Sequence, residues 1–296
     1  MEPEDRQRQI DLDKKTGHKV LSYKEMKANR RLANLIVVIR GGGEVASAIA
    51  HKLARCHFRV CLTEVAYPQA VCRGVAFCEA IYDGEKEVEG VIAKSAGSVE
   101  EVFAAWAGDK IAVMVDPEAS IKDSLHPEVL IDATMAKRNL GTDISDAALV
   151  IGLGPGFRVG RDVHAVVETN NSANLGKVIL EGEGESDTGI PLEIGGFTFE
   201  RVLHAPEEGV FYSQKNIGDD ISSGEVVGLV GKQPVKADLG GVVRGLIRVG
   251  SKVKKGTKLG EIDPLGSEED CYIIRPRMRA IAGGALEAIL MHCNRG

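Results

Sequence analysis

Residues Leu35–Glu64 read LIVVIRGGGEVASAIAHKLARCHFRVCLTE, and the pattern is strand, glycine turn, helix, strand, acid. Leu35 to Ile39 is a short apolar run rich in β-branched residues, as a buried parallel strand requires. Gly41, Gly43 and Ala46 then satisfy the spacing G-x-G-x-x-A. The first glycine permits a tight turn, the second lets backbone approach a phosphate, and the small third residue lets the helix pack closely on the strand. That helix turns its free N–H groups and the positive end of its dipole toward an anion at the turn. Phe58 to Thr63 is a second strand. Glu64 stands at its C-terminal end, where an acid can bind a ribose hydroxyl.

Such a unit is Rossmann-like, so Gly41, Gly42, Gly43, Glu44 and Glu64 are candidate contacts of a nucleotide-type ligand. Glycines that only pack a helix on a sheet would keep the fold and lose the ligand. Strand and helix patterns alternate onward to about residue 180. Ser98-Val99-Glu100-Glu101 is a capping box before a helix. Lys110 to Val115, Val129 to Ala133 and Ala148 to Leu153 read as strands, the last running into a second glycine turn over 152–156. Ligands of parallel sheets bind beyond the strand C-termini, which places Glu64, Asp116, Asp132 and this turn on one edge. The turn lacks the G-K-[ST] of a P-loop, yet its amides can form an anion nest, so Gly154 and Gly156 are candidates too. Arg73 lies where a basic side chain can meet a phosphate or simply end a helix in solvent. Asp132 can serve as a base or ligand contact, or cap the next turn. Lys137 and Arg138 can neutralise a phosphate or form a solvated face. His164 sits in an apolar alternation and reads as a core histidine. No triad or metal-ligand cluster stands out.

From about residue 190 helical periodicity gives way to short apolar runs punctuated by glycine. Residues 205–230 align without gaps on 237–262, with identities at Ala205/Ala237, Gly209/Gly241, Val210/Val242, Gly218/Gly250, Gly224/Gly256 and Gly228/Gly260. Two similar β-units about a pseudo-twofold axis are expected, with a pattern that resembles the half-motif of biotinyl and lipoyl carrier domains. The hairpin lysine, Lys232, lacks the flanking methionine of a carrier, so docking or dimerisation is the expected use.

The expected architecture is therefore α/β: a charged N-terminal arm over 1–34, a Rossmann-like doubly wound parallel sheet over 35–189, and a mostly β, barrel-sandwich-hybrid-like domain built from the internal repeat over 190–296, with a C-terminal helix. The arm carries nine basic and six acidic residues and reads as loosely docked or disordered. At 296 residues the chain has room for a sizeable core. A net charge of −6 argues against a general nucleic-acid binder. No apolar run approaches a membrane span and the N-terminus carries no signal-type segment, so a cytoplasmic protein is expected. The six cysteines form no C-x-x-C pair, which argues against structural zinc. Cys72 and Cys78 read as inert packing thiols or, with a lowered pKa, as carriers of sulfur or selenium.

Taken together, VVIRGGGEVASAIA, the P-x-x-x-x-R-x-V-A-F-x-E-A-I-Y-D-G stretch over 68–84, VLIDATMAKRNLGT, VIGLGPGF, VHAVVET and the closing AIAGGALEAIL resemble the accessory proteins of the selenium-dependent molybdenum hydroxylase system, often called the YqeB family. The resemblance covers about 35–296. The Rossmann-like segment is also similar to the XdhC group, which binds molybdenum cofactor. It implies a maturation role: a molybdopterin-type cofactor held by its phosphate at Gly41–Glu44 and at Gly154–Gly156, with Glu64 and Arg73 as further contacts, and delivered to a molybdenum hydroxylase client. Departures are Asn170–Lys177, where the family carries an arginine and a histidine, and Cys72 in place of an arginine. Rival readings are an NAD-dependent oxidoreductase, which Glu64 suits better than NADP, and a non-catalytic ligand-sensing scaffold. A homodimer is compatible with the repeat.

Overall fold

The computed structural model of the chain describes residues 35–294, and the charged arm falls outside the described residues. Strand β1 (Ile36–Arg40) leads through the glycine turn into helix α1 (Glu44–Arg55) and strand β2 (Arg59–Glu64). Ala46, Ile49, Ala50 and Leu53 share one face of α1 and are buried on the sheet. Glu44 in the first turn and Lys52 and Arg55 in the last suit the helix dipole. There follow α2 (Ala80–Asp83), β3 (Glu85–Val88), β4 (Val91–Ser95), α3 (Val99–Ala107), β5 (Ile111–Val115), α4 (Lys122–Leu125), β6 (Val129–Asp132), β7 (Leu149–Leu153), β8 (Ala165–Val167) and β9 (Val178–Ile179). Together they build a nine-stranded sheet of order β3-β4-β5-β2-β1-β6-β7-β8-β9.

This corrects the doubly wound parallel sheet expected of a Rossmann-like domain. The sheet is mixed: β4 through β8 run parallel, but β3 and β9 close the edges antiparallel. Nor do helices wind over each crossover. The β6–β7 connection carries only a single-turn helix at Ile144–Asp146, and the β7–β8 connection carries no helix. The first stretch carries Asn139, Gly141, Asp143 and Asp146, the second Gly154, Pro155, Gly156 and Gly160, and both lack an apolar period of 3.6, so they have no face to bury as helices.

The second half contains β10 (Val202–His204), β11 (Gly209–Tyr212), β12 (Asp220–Ile221), β13 (Val226–Val230), β14 (Gln233–Lys236), β15 (Gly241–Leu246), β16 (Lys252–Val253) and β17 (Lys258–Asp263). These strands form two separate four-stranded antiparallel sheets, β10-β17-β15-β12 and β14-β13-β11-β16, which replaces the barrel-sandwich hybrid expected from the glycine pattern. Gly209, Asp220 and Val226 begin β11, β12 and β13, and their repeat partners Gly241, Lys252 and Lys258 begin β15, β16 and β17. The two-residue strand of each unit pairs with the first strand of the other, β12 with β15 and β16 with β11. A repeat alignment matches strand to strand but carries no information about such exchange.

The final helix, α5 (Pro276–Cys293), belongs by sequence position to the β-rich part over 190–296 but returns to the nine-stranded sheet. Met278, Ile281, Ala282, Ala285, Ala288 and Ile289 join one core with Val37, Ile39, Ile49 and Leu53. Gly284 sits so close to the Gly176 carbonyl and the Val167 side chain that a Cβ there would overlap both. On the opposite face Val102 and Ala105 of α3 pack with Val38, Cys61 and Ala112, as the two-residue period of a strand requires. The segment after β2 ties the halves together. Leu246 N–H donates to the Val71 carbonyl at 2.9 Å, Arg73 Nε donates to the Leu246 carbonyl at 2.6 Å, and Arg248 pairs with Glu79 and Asp83.

Candidate functional site

The glycine turn opens on a cleft of about 680 Å³ beyond the C-terminal ends of β1, β2 and β6. Arg40, Gly41–Val45, Thr63–Val65, Glu118 and Ala133–Ala136 are among its walls. The three glycines of the turn differ in what they do. Gly41 has φ +104°, its N–H donates to the Thr63 carbonyl at 2.7 Å, and a Cβ there would lie 2.8 Å from the Ala133 carbonyl oxygen. At Gly42 a Cβ would lie 2.8 Å from that of Cys78. Gly43 has nothing within 4 Å of its Cβ position. It is the N-cap of α1, has extended backbone, and no side chain caps the helix. The first amides of α1 therefore have no partner inside the helix and open on the cleft.

Glu64 does line the cleft, but its carboxylate already has a task. Oε2 accepts from Gly42 N–H at 2.9 Å and Oε1 from Val65 N–H at 2.8 Å. The acid thus holds the glycine turn in shape and keeps its remaining lone pairs for a ligand donor. Arg40 has no spare donor to offer an anion: Nε donates to the Pro117 carbonyl, and the other nitrogens engage Leu140, Thr142 and Glu118. Two buried polar atoms at the cleft have no hydrogen-bond partner, Thr63 Oγ1 and Glu44 Oε1. Buried polar atoms left without partners are costly, so both mark places where ligand donors or acceptors would be favourable.

The other candidates lie elsewhere. Arg73 is not in the cleft: it is held by Leu246 and by Glu79 at 3.5 Å, at the seam with the β sheets. Gly154 and Gly156 are crowded by Thr169 and by the backbone of Arg138 respectively. Their left-handed φ values of +68° and +103° serve a tight turn, while Pro155 between them borders a second cavity. Asp132 is buried and accepts from Thr134 N–H, Thr134 Oγ1 and Thr142 Oγ1, the capping alternative. Asp116 accepts from Ile121 N–H. Lys137 pairs with Asp187 at 2.5 Å. His164 is exposed rather than in the core, and its Nδ1 accepts from Val150 N–H at 2.9 Å. Burial pushes the Cys72 thiol well up, with Glu261 and Glu44 adding to it, pushes Cys61 up to about 12, and raises Cys78 as well. These are the properties of packing thiols, not of sulfur carriers.

Sequence reading missed the second cavity, of about 280 Å³, which adjoins the cleft across Glu44 and Met135. Arg275, Arg277, Arg201, Lys258 and Glu261 come to it from the second half of the chain. Glu261 is almost fully buried. Burial alone would raise its pKa, but Lys258, Arg275 and Arg201 outweigh burial and hold the carboxyl far below the usual range. The one legible signal was Arg275-Pro276-Arg277, two cations around a helix-start proline. Among the described residues no cluster of three or more His, Cys, Asp or Glu could hold a metal ion, and no helix is long and apolar enough to cross a membrane.

Over 271 residues the chain is 42% identical to "Uncharacterized protein YqeB" of Escherichia coli (strain K12), a match covering 92% of this chain and 50% of that protein. The two are homologous. The chain spans about half the length of this curated relative. No family model matches the chain. Among solved structures, a succinylglutamate desuccinylase/aspartoacylase from Rhodobacter sphaeroides aligns over 30% of each chain with 16% identity and a TM-score of 0.22. An aspartoacylase family protein from Mesorhizobium loti aligns over 79% of this chain and 86% of its own with 10% identity and a TM-score of 0.25. Scores this low carry nothing about fold or chemistry.

Proposed function

We propose that the protein is an accessory protein of a molybdenum hydroxylase system, and that the cleft at the glycine turn holds a molybdopterin-type cofactor by its phosphate for delivery to a client enzyme. The observation that carries this reading is Gly43: an uncapped helix start with an open Cβ position facing a cleft large enough for a cofactor. Free amides at a helix N-terminus favour a phosphate. Thr63 Oγ1 and Glu44 Oε1, which have no hydrogen bond, suit the hydrogen-bonding groups of a pterin or ribose, and Glu64 retains lone pairs for a donor. The cofactor is cargo in this reading; its redox chemistry belongs to the client. The segments that resemble the molybdenum hydroxylase accessory proteins supply the choice of cargo.

A dinucleotide such as NAD would use the same turn and acid. Of the cleft's ionisable side chains, Arg40 is saturated, Glu64 is held by two amides, Glu118 pairs with Arg40 and Glu44 with Arg275, so none of these described residues stands ready as a proton donor for hydride chemistry.

Gly43→Asp separates binding from folding. Aspartate is a favourable N-cap, the backbone there is extended and the space is open, so the variant folds while placing a negative charge at the phosphate position. Native mass spectrometry of protein purified anaerobically from cells supplied with molybdenum and selenium should show a molybdopterin-sized adduct that Gly43→Asp loses. A nicotinamide dinucleotide adduct, or an adduct unaffected by the substitution, would overturn the reading.

A further inference from the structure

The second cavity is lined by five basic side chains and four acidic ones, Glu44, Glu185, Asp187 and Glu261, of which Glu185 is held by Asn170, Ser172 and Asn174. The basic residues are Lys137, Arg201, Lys258, Arg275 and Arg277. Lys137 pairs with Asp187, Arg201 and Lys258 with Glu261, and Arg275 with Glu261 and Glu44. Arg277 alone of the five forms no ion pair among the described residues. Its Nη2 donates to the Thr169 carbonyl at 2.6 Å, and its Nε is buried with no hydrogen-bond partner. Burial is the main influence lowering its pKa; Arg275 adds to the effect, while Glu44 and Glu261 oppose it. A guanidinium remains protonated in proteins, so Arg277 is a half-buried charge whose neighbouring carboxylates, Glu44 and Glu261, are already paired with other cations, an arrangement that an incoming anion would relieve.

The walls point the same way. Met135 and Lys137 both hold left-handed backbone, φ +57° and +60°, a conformation that non-glycine residues keep chiefly where surrounding structure or a ligand clamp requires it. Met135 borders both cavities, as does Glu44, whose Oε1 has no hydrogen bond and meets only Arg275 Nε, at 3.7 Å. A ligand lying in the cleft can therefore extend past these two residues toward Arg277.

We propose that the second cavity is an oxyanion subsite in which Arg277 receives a phosphate or carboxylate group at the far end of the ligand bound at the glycine turn. The inference rests on the reading of the cleft as a ligand site. The ligand class it implies is elongated, with one anionic group for the α1 amides and a second for the guanidinium. Charge and planar donor geometry make arginine suited to either oxyanion.

Inorganic phosphate and acetate, titrated separately into the full chain by calorimetry, distinguish the two oxyanions. At least one of them should bind, and Arg277→Gln should weaken it roughly tenfold or more, as expected for loss of a charge-assisted bidentate contact. Arg277→Lys should retain part of the affinity, and Arg158→Gln, in an exposed pair with Glu183, should change nothing. Gly43→Asp should leave this subsite intact. Binding lost in Gly43→Asp but kept in Arg277→Gln would overturn the inference and leave the proposed function standing. No binding of either anion would overturn the inference. Should Arg277→Gln fail to fold, hydrogen exchange on the wild-type chain decides: the saturating anion should slow exchange at the amides of residues 277–279, and unchanged exchange there would overturn it.

Discussion

At the scale of single residues, the triple glycine shows how three identical side chains can answer to three constraints. Gly41 meets a backbone constraint, Gly42 a packing constraint, and Gly43 neither. Gly41→Ala must adopt a left-handed φ beside the Ala133 carbonyl and should lose about 1–3 kcal/mol of stability. Gly43→Ala faces no clash and should lose only about 0.5–1 kcal/mol, the difference between Gly and the poorer N-cap Ala. Urea unfolding of the two variants checks this, and equal losses would remove the distinction on which the binding assignment depends. Glu64 carries a related lesson. Its place at the end of β2 was legible from spacing, but its use as acceptor for the Gly42 and Val65 amides was not, because spacing says where a carboxylate stands and not which donors reach it first.

At the scale of elements, α5 is the piece whose role differs most from its position in the chain. Its glycine pair reads as a weak helix interior, yet Gly284 is where the helix meets the Gly176 carbonyl. A Gly284→Val substitution should force α5 off the sheet and cost about 3 kcal/mol, the upper range for overpacking a well-filled core. Loss of α-helical signal with heating at a lower temperature than wild type is the measurement; an unchanged midpoint would mean that α5 contributes little to the core. Of the four glycine pairs in the repeat, Gly218/Gly250 and Gly224/Gly256 sit in turns with left-handed φ, whereas Gly209/Gly241 begin strands and Gly228/Gly260 lie inside strands, and the strands of the two units begin at matching repeat positions. Exchange of β12 and β16 between the two sheets depends on contacts between residues far apart in the chain, which no local alignment contains.

At the scale of the whole molecule, Glu261 joins the parts. It stands on β17 and pairs with Arg201 and Lys258, and with Arg275 at the start of α5. Neutralising one member of a buried ionic cluster leaves the others uncompensated, so Glu261→Gln should cost about 3–5 kcal/mol near neutral pH. The sign with pH follows from its depressed pKa. The unfolded chain protonates this carboxyl at about 4.3 and the folded chain only well below that, so its contribution is full above about pH 5 and falls as pH drops. The stability gap between wild type and variant should therefore be flat from roughly pH 5 to 8 and narrow below about pH 4. A gap that is constant down to acid pH would show that the carboxylate's charge is not what stabilises the cluster.

The sequence by itself determined the strand–turn–helix–strand unit, the glycine turn with its open helix start, and the repeat in the second half. Each is set by backbone sterics and by periodicity over a few neighbouring residues. Only the tertiary structure decided that the large sheet is mixed, that the repeat builds two separate sheets, and that α5 completes the core of the first half. It also decided the composition of the second cavity, where Arg277 from α5 lies beside Glu44 from α1 and Glu261 from β17. Ion pairing and burial depend on distance in space, so a cluster whose members are separated by more than two hundred residues leaves no pattern along the chain.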